Sequence, residues 1–86
     1  MNREYKSIAC DLYDIFEVAA MRKSILVLTI ENEERRVRVT DVYAKGTEEF
    51  LDATDEATHA PMHIRLDTVQ KVFDPAVNKS YIPEQC

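Results

Sequence analysis

A single glycine, Gly46, serves all 86 residues. Loops that cradle phosphate and the sharp turns that present a catalytic serine need several glycines at fixed offsets, which excludes Walker A, dinucleotide-binding and Gly-x-Ser-x-Gly readings. Cysteine is also scarce. Cys10 and Cys86 stand far apart without a Cys-x-x-Cys spacing, so they build neither a zinc knuckle nor a redox motif, and reduced cytoplasmic thiols are the expected reading. Apolar runs are short, as in Ile25-Leu26-Val27-Leu28, and residues 1–5 are charged, so neither a membrane span nor a secretory signal is expected. Basic residues are outnumbered: eleven Lys and Arg face sixteen Asp and Glu, a net charge of −5. That balance opposes attraction to phosphate backbones and favours a basic partner surface, including the basic groove of a nucleic-acid-binding protein.

What is present suits one small cytoplasmic domain. Hydrophobic residues make up 45% and charged residues 31%, too apolar for a disordered chain. A domain of this size buries only about 60 to 65% of its unfolded surface, so modest stability is expected.

The first periodic segment covers residues 10–23. Asp11 is a good N-cap, Asp14 sits three residues on, and Arg22-Lys23 close the last turn where cations suit the dipole, so the spacing predicts a helix over about 11–23. Leu12, Ile15, Phe16, Ala19 and Ala20 share its core arc. The opposite arc carries Asp11, Asp14 and Glu17 at i, i+3, i+6, interleaved with Val18 and Met21, with Tyr13 at its edge.

From Ser24 the period falls to two. Residues 25–30 read as a strand covered on both faces, and residues 35–39 alternate with Val37 and Val39 inward. A four-residue loop over 32–35 would pair Ile30 with Val37 and Leu28 with Val39, since a tight primed turn usually wants glycine. The alternation slips after Val39, which predicts a bulge near Asp41. Further strands are expected over 48–54, over 62–66 with Met62, Ile64 and Leu66 inward, and over 68–73 before Pro75, followed by a loose tail over 76–86. The expected fold is thus mainly β with one N-terminal α-helix, an Sm-like small five-stranded, strongly bent barrel; an OB-type barrel usually places its helix between strands.

Catalytic and metal readings find little support. Asp14 and Glu17 face away from the core, so nothing desolvates one carboxyl for acid catalysis, and Pro61 breaks any helix that would align His59 with His63. Cys10 adjoins the helix N-terminus, yet no base has the context to activate it. No enzyme, metal or cofactor is expected. Arg35, Arg36 and Arg38 could suggest RNA, but Glu31, Glu33 and Glu34 cancel their field and no aromatic stripe accompanies them. The acidic helix face is harder to set aside. Three acids stacked without alternating bases forgo i, i+4 pairing, and the apolar area among them suits a protein interface in which carboxylates take a partner's arginines. A second acidic patch, Glu48, Glu49, Asp52, Asp55 and Glu56, with Lys45 nearby, would extend that interface.

The string Tyr5-x-x-Ile8-x-Cys10-Asp11-x-Tyr13-Asp14-x-x-Glu17-x-Ala19, followed by the hairpin, Asp41, Glu49-Phe50-Leu51 and Ile64-Arg65-Leu66-Asp67, resembles the Rho-binding antiterminator family (Rof, also called YaeO). The resemblance spans about Tyr5 to Pro75, and its Cys-Asp-x-Tyr-Asp-x-x-Glu portion is the most specific. The chain departs from the pattern in lacking an Asp-Gly-type turn at Asn32-Glu33 and in its tail after Pro75. The resemblance implies an Sm-like domain that binds the RNA-binding N-terminal domain of transcription termination factor Rho and inhibits Rho-dependent termination. Asp11, Tyr13, Asp14 and Glu17 would be its main contacts, with Lys45, Glu48 and Glu49 as a second segment; Val18 and Met21 add the apolar area read from the helix. A monomer without nucleic acid or membrane partners is expected, and a small Sm-like RNA-binding protein is the alternative.

Overall fold

The computed structural model describes residues 12–82. Along the chain come α1 (Leu12–Arg22), β1 (Ile25–Ile30), β2 (Glu33–Lys45), β3 (Glu48–Asp55), β4 (Pro61–Arg65), a 3-10 helix (Leu66–Thr68), β5 (Val69–Asp74) and β6 (Lys79–Tyr81). The strands form one antiparallel sheet in the order β4-β3-β2-β1-β5-β6. Its shape follows from one short link. In a flat sheet β4 and β5 would lie roughly 19 Å apart, four spacings of about 4.8 Å. A three-residue 3-10 link at about 2 Å of rise per residue falls well short of that, so the sheet must curl. Curling turns one face inward, and the pairings among the described strands leave the sheet open rather than closed.

The inward face is apolar by alternation. Leu26 and Leu28 of β1, Val37 and Val39 of β2, Leu51 and Ala53 of β3, Ile64 of β4 and Val69 and Val72 of β5 are all buried, together with Leu66 of the 3-10 helix. Leu12, Phe16 and Ala19 of α1 complete this core, while Ile15 and Ala20 pack against it half-buried. The helix ends in a Schellman pattern: Ser24 N–H donates to the Ala19 carbonyl at 2.8 Å and Lys23 N–H to that of Ala20 at 3.3 Å. Lys23, at φ 55°, takes the left-handed position that glycine usually fills.

Three sequence expectations concerning the strands need correction: the turn after β1, the tail and the two-sided burial of β1. First, the hairpin between β1 and β2 turns on Glu31 and Asn32 alone, both left-handed with φ 53° and 64°, as a type I′ turn requires. Asn32 N–H is held by Gln70 Oε1 at 2.7 Å, a contact from β5 that local sequence does not reveal. Ile30 therefore faces Glu33, and Leu26 faces Val37. The slip from the expected register is an even number of residues, so Val37 and Val39 keep their inward face. Second, residues 79–81 are not tail but a sixth strand, with Asp74 opposite Lys79 and Val72 opposite Tyr81. Asp74 Oδ1 accepts from Ala76 N–H at 3.0 Å, and Asn78 takes φ 56° to bring the chain back. The bulge expected near Asp41 is present: Val39 pairs with Ala53 but Asp41 with Asp52. Burial of β1 is one-sided, because only Leu26 and Leu28 are covered while Val27 and Thr29 line an open groove with Phe73 and Lys71.

Asp55 closes β3 from within. Its Oδ1 accepts the Ala57 and Thr58 N–H groups at 2.8 and 3.1 Å, and Arg35 Nη1 lies 3.4 Å from Oδ2. Those two backbone donors first, and Arg35 after them, hold its carboxyl below the ordinary value of 3.8 despite the opposing effect of burial.

Three outcomes test this packing. Leu28→Ala, at a side chain with 0% exposure, should cost about 2 to 5 kcal/mol by denaturant unfolding; an unchanged midpoint would place Leu28 outside the core. Glu31→Gly should stabilise the turn by about 0.5 to 1 kcal/mol, and by more than Asn32→Gly, because asparagine tolerates the left-handed region better. The Asp55 contribution is present above the ordinary carboxylate value and is lost as pH falls through the depressed folded one. The melting-temperature gap between the wild type and Asp55→Ala should accordingly be wide at neutral pH and narrow in acid.

Candidate functional site

Leu12, Phe16 and Ala19 point into the core at i, i+4 and i+7, so helical geometry carries Asp14, Glu17, Val18 and Met21 to the far side. There Asp14 and Glu17 are exposed, Val18 is 42% exposed and Met21 74%. Tyr13 sits half-buried at the edge between the two arcs. Partial burial first, and then the Glu17, Glu49 and Asp41 carboxylates, push its phenol above the ordinary value of 10.0. Three carboxylates from three elements therefore converge electrostatically on one phenol.

Beside them, α1 and β2 flank a shallow, open groove of about 380 Å³. Glu17, Ala20 and Met21 form its helix wall; Thr40, Asp41 and Val42 form its strand wall. The bulge between Val39 and Asp41 is what brings Asp41 to this edge. Asp14, Glu17 and Asp41 take part in no ion pair among the described residues.

The remaining sequence-derived site residues divide. Glu49, half-buried opposite Ala44, joins the Tyr13 group. Lys45 and Glu48 face each other at the tip of the β2–β3 hairpin, where Gly46 adopts φ 66°, and Glu48 lies 3.8 Å from Arg65. Asp11 and both cysteines lie outside the described residues. The second acidic patch is corrected, because it is not a free surface: Asp55 is buried, Glu56 pairs with Arg38 at 3.2 Å and Asp52 with His63 at 2.9 Å. Arg35 and Arg38 are held as well, Arg35 by Glu33 and Asp55, and Arg38 by Glu56 and the Lys23 carbonyl. His59 occupies a left-handed turn and His63 a strand, so the two share no helix face. Among the described residues no set of three or more His, Cys, Asp or Glu is placed to hold a metal ion, and no helix is long and apolar enough to cross a membrane.

Sequence reasoning missed Asp41 as a site residue, although the slipped alternation beside it marked the bulge that exposes it. It also missed an aromatic stack on the outward face of β2, β3 and β4. Tyr43 and Phe50 have centroids 5.7 Å apart, and Phe50 and His63 lie 4.9 Å apart with planes 17° from parallel. Asp52 Oδ1 accepts from His63 Nδ1 at 2.9 Å, and the Tyr43 hydroxyl lies 3.3 Å from the same nitrogen. Partial burial, then Asp52 and Asp41, push the Tyr43 phenol upward, so the stack stands in a negative potential. No family model and no curated protein sequence matches the chain.

Proposed function

We propose that the chain is an Sm-like inhibitor of Rho-dependent transcription termination that binds the RNA-binding N-terminal domain of Rho through α1 and the adjoining edge of β2. The motif resemblance supplies the identity of the partner. The observation that carries the reading is the set of carboxylates in no ion pair among the described residues, Asp14, Glu17 and Asp41, around exposed Met21 and the groove beside it. Elsewhere Asp55, Glu56 and Asp67 lie against cations within the chain, whereas Asp14, Glu17 and Asp41 adjoin exposed apolar contact area. Such a surface suits a basic groove that ordinarily takes RNA. A helix leading into a curled sheet, with a 3-10 link before β5, agrees with the Sm-like form.

Inhibition follows from occupation. Carboxylates of α1 take the arginines and lysines that would otherwise take phosphates, RNA cannot load, and translocation does not begin. Charge guides the encounter, and because exposed charges are screened beyond roughly 8 Å at physiological salt, association slows as salt rises.

Titration of the Rho N-terminal domain, with single-stranded RNA as competitor, tests the reading. Wild-type chain should displace RNA. Asp14→Lys, Glu17→Lys and Asp41→Lys should each weaken binding about tenfold or more while leaving the melting temperature unchanged, since none of the three belongs to the core. Unaltered affinity in all three variants would remove α1 from the interface.

A further inference from the structure

We propose that the outward face of β2, β3 and β4 is a second docking surface, which takes an arginine side chain of a protein partner on the Tyr43–Phe50–His63 stack. It meets the helix face only at Asp41 and does not depend on the identity of the partner there. The stack runs diagonally across three strands: Tyr43 stands opposite Phe50 in register, and Asp41, Asp52 and His63 occupy the neighbouring row. β4 is the edge of the sheet, so the stack ends on His63, whose side chain is 60% exposed. A planar group can extend the stack from that end.

The charges select which planar group it is. The Tyr43 and Phe50 ring faces are negative, and Asp52 adds a carboxylate at the stack whose several lone pairs exceed the donors it already receives. Asp41 adds to the same negative potential at Tyr43. A nucleobase would bring a phosphate into this field, whereas a guanidinium is planar, cationic and rich in donors, so it can stack and hydrogen-bond at once. An ammonium can do only the second. Of the chain's own cations on this face, Arg65 is already bound by Asp67 at 2.7 Å and Glu48 at 3.8 Å, Arg38 is bound by Glu56 at 3.2 Å, and Lys45, opposite Glu48, has no planar group to stack.

The test titrates two peptides of equal length, one arginine-rich and one lysine-rich, and a single-stranded oligonucleotide, while following the ring resonances of Tyr43, Phe50 and His63 by NMR. The full chain carries Asp14→Lys and Glu17→Lys, so that binding to α1 does not mask the result. The arginine peptide should move the ring resonances and bind more tightly than the lysine peptide. His63→Ala should weaken it by about two- to five-fold, the size of one exposed cation–π contact. Asp52→Asn, which keeps the side-chain shape, should weaken it as well. Rings that stay still under the arginine peptide, equal affinity for the lysine peptide, ring shifts caused by the oligonucleotide, or unchanged affinity in both variants would each overturn the proposal. Loss of Rho binding on changing α1 is a separate measurement, so the two readings can fail independently.

Discussion

The constraint on which the rest depends is the burial of one narrow arc of α1. Leu12, Phe16 and Ala19 are removed from water against the curled sheet, and Phe16 reaches 0% exposure. Once that arc is committed, the 3.6-residue period leaves Asp14, Glu17, Val18 and Met21 no route inward. A large apolar side chain such as Met21 remains in water because the core arc is already occupied. The acidic face is thus held rigidly by the hydrophobic face behind it, and an interface on a packed helix loses little side-chain or backbone freedom when a partner arrives.

The sheet achieves its curvature with almost no glycine. Lys23, Glu31, Asn32, His59 and Asn78 all adopt the left-handed region, where a Cβ is crowded by the neighbouring carbonyl. Three of them are held by hydrogen bonds. Lys23 sits within the Schellman bonds, Asn32 is held from β5 by Gln70, and His59 donates its N–H to the Asp55 carbonyl at 2.7 Å. In a domain with a small core, such turns consume stability that the apolar sheet face must offset. The same turns set the register, and so decide which side chains stand together on the outward face.

Charge is distributed in two ways on this molecule. Several carboxylates and cations are matched across the strands, as in Arg35 with Glu33 and Asp55, Arg38 with Glu56, and Arg65 with Asp67 and Glu48. Apart from Arg35 with buried Asp55, these pairs are exposed and contribute little to stability, but they cancel the local field. On α1 and the bulged edge of β2, Asp14, Glu17 and Asp41 take part in no ion pair among the described residues, and Tyr13 lies in the field of Glu17, Glu49 and Asp41. The net charge of −5 is therefore less informative than where it remains uncompensated.

Much of this was legible in the sequence because it is periodic and local. The helix and its two faces, the alternating strands, the slip before Asp41 and the stop at Pro75 all follow from spacing along a few residues, and Tyr13, Asp14, Glu17, Val18 and Met21 were accordingly found as one surface. The turn at Glu31-Asn32, the three-residue β6, the pairing that dissolves the second acidic patch and the Tyr43–Phe50–His63 stack were not legible. Each depends on which residues from different strands come to lie a few ångströms apart. Alternation determines which side of a strand faces water but not which strand lies beside it. That choice belongs to the curled sheet as a whole, where burial, turn geometry and ion pairing are satisfied together.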